Sequence, residues 1–111
     1  MSILSDVKKV MPIPEYVEDF DDSLLIHINS EMFVLRQLGV IPMTGFTADK
    51  DSEWNEIGCK EEALGSVKLL VPLKVKKTFD PPQGGAAMQA LNDMIAELET
   101  RLNWNADYKE M

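Results

Sequence analysis

The apolar pattern in the last third of the chain most constrains the fold. In the segment AAMQALNDMIAELETRLNW, apolar side chains recur at alternating spacings of three and four: Met88, Leu91, Ile95, Leu98 and Leu102. This spacing places them in one stripe along an α-helix, with polar side chains opposite. On the polar side, Glu97 and Arg101 form a favourable i,i+4 pair. An apolar stripe of this length must be covered by other elements, so the pattern predicts a helical bundle.

The preceding segment, from Lys60 to Thr78, supports two interpretations. Acidic residues at its start and lysines near its end complement a helix dipole. A helical stripe also runs through Leu64, Val67, Val71 and Val75. Against this, the residues 73–76 alternate as in a strand, and Pro72 would remove one helical hydrogen bond and kink a helix. The length of the segment favours a helix, which is our prediction.

Two further helices are predicted before residue 40. The first is short, spans residues 1–11 and has Ser2 as its N-cap, with Ile3, Val7 and Val10 on one face. Pro12 and Pro14 then end it and form an extended connector.

The second helix runs from Ser23 to about Leu38. Asp22 is a suitable N-cap, and Gly39 is the expected stop. Its apolar positions at helical spacing are Leu24, Ile28, Met32 or Leu35, and Leu38.

Residues 40–59 are rich in turn formers and predict a long loop. Trp54 and Ile57 can pin part of it to the core through one short helical turn. We therefore expect an all-α fold, one domain over residues 1–111, as a small bundle of about four helices. Its long loop, ordered or semi-ordered, joins the second and third helices, and residues 103–111 form a tail that is frayed or dependent on a partner.

The charge balance excludes several classes of partner. Nineteen acidic residues against eleven basic ones give a formal net charge of −8, which disfavours broad binding to nucleic acid or to an anionic membrane. The apolar runs are too short to cross a bilayer, and the N-terminus has no signal-peptide pattern. The single cysteine, Cys59, cannot form an internal disulfide. A soluble intracellular product is expected.

The residues needed for catalysis do not form a recognisable constellation. His27 is the only histidine, and we interpret it as a residue on a helix face rather than as a general base. Carboxylates near Cys59 would raise the pKa of its thiol, so an incidental or structural thiol is the better interpretation. We predict no catalytic residue and no enzymatic activity.

No metal or cofactor site is predicted either. An EF-hand loop needs glycine at its sixth position, but loops starting at Asp19 and Asp49 have Leu24 and Trp54 there. The chain has no CxxC, HExxH or phosphate-binding glycine motif. The pair Gly84–Gly85 is interpreted as a hinge.

Two patches of opposite charge stand out. The acidic one comprises Glu15, Glu18, Asp19 and Asp22 with Asp21, and the basic one Lys74, Lys76 and Lys77 with Lys68. The lysines could touch DNA, complement the dipole of their own helix, or pair with the acidic patch of a neighbouring copy. Opposite patches on one chain suit head-to-tail rings, so pairing between subunits is our hypothesis.

Trp104 and Tyr108 follow the last predicted helix. Aromatic residues on a weakly structured tail either cap the local core or anchor a partner. Both interpretations stay open from the residues alone.

Three segments resemble the head–tail connector proteins of tailed bacteriophages. They are LKVKKTFDPPQGG, the following AMQALNDMIAELETRLN, and the earlier DSLLIHINSEMFVLRQLGV, with the 40–59 loop unmatched. The resemblance implies a mostly helical neck adaptor in a homo-oligomeric ring, commonly of about twelve copies. Such a ring lies beneath the portal, continues the DNA channel and offers a platform for a neck, stopper or tail-completion protein.

This resemblance also implies a place in the virion, after assembly in the host cytoplasm. DNA would pass through the channel without specific binding, helped by acidic groups in the lumen. Docking of Trp104 and Tyr108 on the portal is a hypothesis that follows from their aromatic character. The alternative function is an acidic regulatory protein that mimics DNA and inhibits a basic enzyme.

Overall fold

The computed structural model describes residues 2–11, 13–42 and 46–104, with side chains described through Leu102. Its elements in chain order are α1 (Ile3–Val10), α2 (Asp21–Leu38), a short 3-10 helix (Trp54–Ile57), α3 (Glu61–Phe79) and α4 (Gly85–Trp104). Within these described ranges there is no β-strand, only an isolated bridge between Ser2 and Glu53. The predicted all-α bundle with a long connection between its second and third helices is confirmed.

Helix α3 is the centre of the bundle and packs against α1, α2 and α4. Its predicted helical stripe is confirmed, because Val67, Val71 and Val75 are fully buried. Pro72 lies inside the helix and is also buried. The strand alternative for residues 73–76 is therefore wrong: burial of the apolar positions on both sides of Pro72 outweighs the one hydrogen bond that proline removes.

The apolar stripe of α4 is also confirmed. Four of its predicted members are buried, and Met88 is partly buried against the same core. The buried members are Leu91, Ile95, Leu98 and Leu102. On the opposite face, Arg101 Nη2 donates to Glu97 Oε1 at 2.7 Å, as the i,i+4 spacing predicts.

Helix α2 begins earlier than predicted. Phe20 occupies the N-cap without a side-chain hydrogen bond, and Asp21 is the first helical residue. The prediction of Asp22 as N-cap is therefore wrong. Asp21, one position earlier, is already helical and pairs with Lys8 of α1. The predicted stop is confirmed: Gly39 has φ 80°, and its N–H donates to the carbonyls of Arg36 and Leu35.

The N-terminal helix has the predicted cap, because Ser2 Oγ accepts a hydrogen bond from Ser5 N at 3.0 Å. Ile3 and Val7 face the core and are fully buried. The predicted stop at Pro12 lies outside the described residues.

The described part of the long connection is fastened to the bundle. Asn29 of α2 holds Ala48 through both of its side-chain atoms: Nδ2 donates to the Ala48 carbonyl at 3.1 Å, and Oδ1 accepts from Ala48 N at 2.7 Å. Trp54 Nε1 donates to Asp6 Oδ2 of α1 at 2.7 Å. Trp54 and Ile57 are buried, so the short helical turn predicted to pin this segment is confirmed.

Candidate assembly surfaces

Lys8 of α1 is a buried cation under the connection between α1 and α2. Only 4% of its side chain is exposed, and Nζ lies 2.6 Å from Asp21 Oδ1. The same Nζ donates to the carbonyls of Glu15 at 3.2 Å and Val17 at 2.6 Å. Among the described residues, Asp21 Oδ1 accepts no hydrogen bond, so the Lys8–Asp21 contact is described as an ion pair. These contacts fix the connection against both helices.

The lysine holds a turn that presents an aromatic side chain to solvent. Val17 N donates to the Pro14 carbonyl at 3.0 Å, which closes a β-turn with Glu15 and Tyr16 at its centre. The carbonyls of Glu15 and Val17, on either side of Tyr16, are the two that Lys8 binds. Tyr16 is 84% exposed. We call residues 14–17 the Tyr16 turn.

The predicted acidic patch surrounds this turn. Its exposed members are Glu15, Glu18, Asp19 and Asp22. The Glu15 carboxylate accepts a hydrogen bond from Ser5 Oγ. Residues 13–22 contain no basic residue, so Tyr16 lies in an acidic stretch of the chain. Lys50, from the long connection, lines a pocket together with Glu15 and Asp21.

The predicted basic patch is divided by the fold. Lys74 lies between α2 and α4, with Nζ 3.1 Å from Glu31 Oε1 and 3.1 Å from Glu99 Oε2. Burial lowers the pKa of Lys74, but the hydrogen bonds and charges of Glu31 and then Glu99 together raise that pKa above its ordinary value. Lys74 therefore links three helices within one chain.

Two other lysines of this patch, Lys76 and Lys77, lie at the end of α3. Lys76 Nζ is 3.8 Å from Asp80 Oδ2, and Lys77 is exposed. Phe20, within the acidic segment, packs edge-on against Phe79 at the end of α3, with ring centroids 5.8 Å apart, but among the described residues neither Lys76 nor Lys77 forms an ion pair with the acidic patch. Pairing between copies stays a prediction, with Lys76 and Lys77 better placed for it than Lys74.

An apolar groove, which sequence reasoning missed, lies between α1, α3 and α4. Its volume is about 290 Å³, and its apolar lining consists of Val10, Leu69, Pro72, Leu73 and Met94. Asp6, Lys9 and Lys68 line the same groove with polar or charged groups. Leu69 and Met94 are 60% and 53% exposed. The signal in the sequence was that these two large apolar residues fall outside the core stripes of their helices.

A second exposed apolar surface lies on the outer face of α2. Ile26 and Phe33 are 70% and 56% exposed, and their spacing of seven residues places them on the same face. Between them in sequence, His27 instead packs edge-on against Phe79, with ring centroids 5.8 Å apart. This contact places His27 beside a ring at the end of α3.

Comparison with known families decides the class of this chain. The sequence profile of a family described as phage connector protein matches residues 3–109. The chain belongs to the phage connector protein family. The match includes the 40–59 connection as well as all four helices. No curated protein and no solved structure shows significant similarity to this connector.

The aromatic residues predicted to bind a partner lie at the end of this connector. The backbone of Trp104 forms the last residue of α4, so the helix extends one residue beyond Asn103, where the tail was predicted to start. The Trp104 side chain and all of Tyr108 lie outside the described residues.

The thiol of the connector is not activated. Burial, and then the charge of Glu62, raise the pKa of Cys59 to about 11. The predicted direction is confirmed, but burial contributes more than the nearby carboxylate. Cys59 Sγ donates to the carbonyl of Lys60 at 3.1 Å.

The part of the chain that the structure describes contains neither a group of side chains suited to bind a metal ion nor a membrane-spanning helix. Among those residues, no three His, Cys, Asp or Glu side chains are grouped so that they could hold a metal ion. None of the described helices is long and apolar enough to cross a membrane.

Proposed function

We propose that this connector is a structural subunit of the phage neck and performs no chemical step. About twelve copies form a ring beneath the portal. The ring extends the DNA channel and docks the next neck, stopper or tail-completion protein. The family match over residues 3–109 is the observation that carries this proposal.

The surfaces of the connector support assembly. The Tyr16 turn, the apolar groove and the Ile26–Phe33 face expose large apolar side chains at separate places. Contacts between unlike surfaces of identical subunits generate a closed ring when the rotation between neighbours is suitable. Exposed apolar patches bordered by charge are typical of protein–protein interfaces.

The net charge supports a role around a DNA channel. Each copy carries a formal charge of −8, so a ring of about a dozen copies carries about a hundred negative charges. Acidic groups at the lumen repel the DNA backbone and prevent it from adhering during passage. A neutral or basic lumen in the assembled ring would contradict this part of the proposal.

The tail is the proposed contact with the portal. Trp104 and Tyr108 supply the aromatic side chains that often dominate binding energy at interfaces. Deleting the residues after Asn103 should abolish portal binding while the helical fold remains, because Leu102, the last core residue in the described part of the chain, is retained. Circular dichroism checks the fold, and unchanged portal binding would remove the tail from the proposal.

Electron microscopy of purified portal rings incubated with the connector tests the main proposal. We expect an additional ring of density on one face of the portal, coaxial with its channel. Binding of isolated copies, or no added density at saturating connector, would contradict ring formation. The Leu70→Asp variant is the negative control. Leu70 is buried in the core, so this variant should not fold and should add no density to the portal.

A further inference from the structure

We infer that the Tyr16 turn of one connector docks into the apolar groove between α1, α3 and α4 of the next copy. This inference rests on the proposed function, because it names the contact by which neighbours in the ring would join. It adds a specific contact, an aromatic ring in an apolar groove, to the predicted pairing of the acidic and basic patches.

The turn is built to present its aromatic ring. Lys8 Nζ binds the carbonyls of Glu15 and Val17, and the hydrogen bond from Val17 N to the Pro14 carbonyl closes the turn. Tyr16 is nevertheless 84% exposed. A large aromatic side chain on a turn held by a buried ion pair needs little ordering when it binds, which favours its use as an anchor.

The groove has room for this ring and the matching polarity. Its volume is about 290 Å³, whereas a cavity of about 150 Å³ is enough to hold benzene. Val10, Leu69 and Met94 supply apolar walls. Tyr16 is not among the residues that line the groove of its own chain. In the described part of the chain, Leu69 and Met94 of the groove are more than half exposed, so they can contact a ring from another molecule.

Charge complementarity selects a second copy as the occupant. The Tyr16 turn contains Glu15 and is followed in sequence by Glu18, Asp19 and Asp22, all of them exposed, while Lys9 and Lys68 line the groove. The third charged residue of the groove, Asp6, is engaged by Trp54 Nε1 at 2.7 Å and lies 3.8 Å from Lys9 Nζ. Because Lys9 is already paired with Asp6, the acidic groups near the inserted ring would meet Lys68 at the groove edge.

The geometry of this contact allows it to propagate. When the turn of one copy fills the groove of its neighbour, the first copy still has an open groove and the neighbour an exposed turn. Such a heterologous contact continues from copy to copy until it closes into a ring.

Disulfide trapping on portal rings tests the contact. Glu15→Cys, which keeps the Tyr16 ring in place, and Met94→Cys are combined in one chain that also carries Cys59→Ser. We expect oxidation to give a ladder of covalent multimers. Mixing the two single-cysteine chains should give the 15–94 heterodimer, and replacing Met94→Cys by Ile26→Cys, also at an exposed apolar residue, should give no ladder.

Binding measurements provide the second readout. Tyr16→Ala should weaken association between connectors at least about 30-fold, as expected for an aromatic anchor, and Tyr16→Phe should change it less than about threefold. Tyr16 is exposed, so both variants should fold, which circular dichroism verifies.

The outcomes separate this inference from the proposed function. If connectors form a ring on the portal but the 15–94 ladder is absent and Tyr16→Ala has no effect, the inference is wrong and the proposed function stands. If Tyr16→Ala abolishes portal binding but leaves contacts between connectors intact, the portal occupies the turn or groove and the inference is again wrong. If connectors form no ring with or without the portal, both are wrong.

Discussion

Lys8 and Asp21 form a buried ion pair, with Nζ 2.6 Å from Oδ1, that joins the N-terminal helix to the start of α2. The same ammonium group binds two carbonyls of the intervening turn. One buried charge therefore sets both the start of a core helix and the position of an exposed aromatic residue. A substitution at Lys8 should therefore change both the stability of the protein and the conformation of the Tyr16 turn.

Replacing Lys8 with methionine should destabilise the protein by about 3 kcal/mol, because Asp21 would be left as a buried, unpaired charge and two carbonyls would lose their donor. The free energy of unfolding in urea measures this. Lys9→Met is the matched control: the Lys9 side chain is 59% exposed, and a change within about 0.5 kcal/mol is expected. Equal effects of the two substitutions would refute the role assigned to Lys8.

Replacing Lys74 with methionine should cost about 1–2 kcal/mol at neutral pH, between the values typical of exposed and buried ion pairs. Its contacts to Glu31 and Glu99 join α2 and α4 to α3. Urea denaturation of Lys74→Met, with Lys77→Met as the exposed control, measures the difference. A loss no larger than that of the control would show that the three-helix link is energetically unimportant.

The contribution of Lys74 should depend on alkaline pH in a defined direction. Its pKa in the folded protein is raised above the ordinary value of 10.5, so the folded state holds the proton more tightly than the unfolded state. The stabilisation is therefore complete below pH 10.5 and is lost as the pH rises through the folded pKa. The difference in unfolding free energy between wild type and Lys74→Met should be constant from pH 7 to 10 and shrink above it. A difference that instead shrinks on acidification from pH 9 to 7 would contradict this assignment.

Cys59 should react slowly with alkylating reagents. Its pKa is raised from 9.0 to about 11, so at pH 8 the thiolate fraction is about one-hundredth of that in the unfolded chain. A thiolate of higher pKa is more nucleophilic, which offsets part of this difference. Iodoacetamide labelling followed by mass spectrometry should therefore be at least about tenfold slower in native than in urea-unfolded protein. The Glu62→Gln variant should label faster than wild type, since Glu62 contributes to the raised pKa. Native labelling as fast as unfolded labelling would contradict the burial of the thiol.

Two glycines near the start of α3 should respond to alanine with opposite signs. Gly58 has φ 80°, and a Cβ there would lie 3.2 Å from Pro42 Cδ and Cγ, so Gly58→Ala should destabilise by about 1–2 kcal/mol. Gly65 lies inside α3 and, apart from its own stretch of helix, no atom of the described residues lies within 4 Å of the position that an alanine methyl would occupy. Gly65→Ala should therefore stabilise the protein by about 0.5–1 kcal/mol. Thermal unfolding of both variants checks the pair, and a shift of the same sign in both would contradict the local structure.

The helices could be predicted from sequence because their signals are local. The alternating spacing of Met88 to Leu102 specifies one face of α4, and Gly39 supplies the left-handed residue that ends α2. The start of α2 could not be found in this way. Asp21 becomes the first helical residue in contact with Lys8, thirteen positions earlier, and that contact exists only after α1 and α2 have packed.

The surfaces were less predictable than the helices. The acidic patch was evident as a run of charges, but the conformation of the Tyr16 turn depends on the buried Lys8, which looks in sequence like an ordinary exposed lysine. The apolar groove depends on how three helices meet, and periodicity within one helix does not specify that. The sequence did not predict that Lys74 pairs within its own chain. Its partners Glu31 and Glu99 are distant in sequence and come close to it only in the fold.

The mass of the complex between portal and connector tests the central claim most directly. Native mass spectrometry of portal rings saturated with connector should show a single added mass of about twelve times 12.5 kDa, with few intermediate species, because neighbours in a ring stabilise one another. A statistical distribution of one, two or three bound copies, or the absence of any added mass, would contradict the assembly of this connector as a ring.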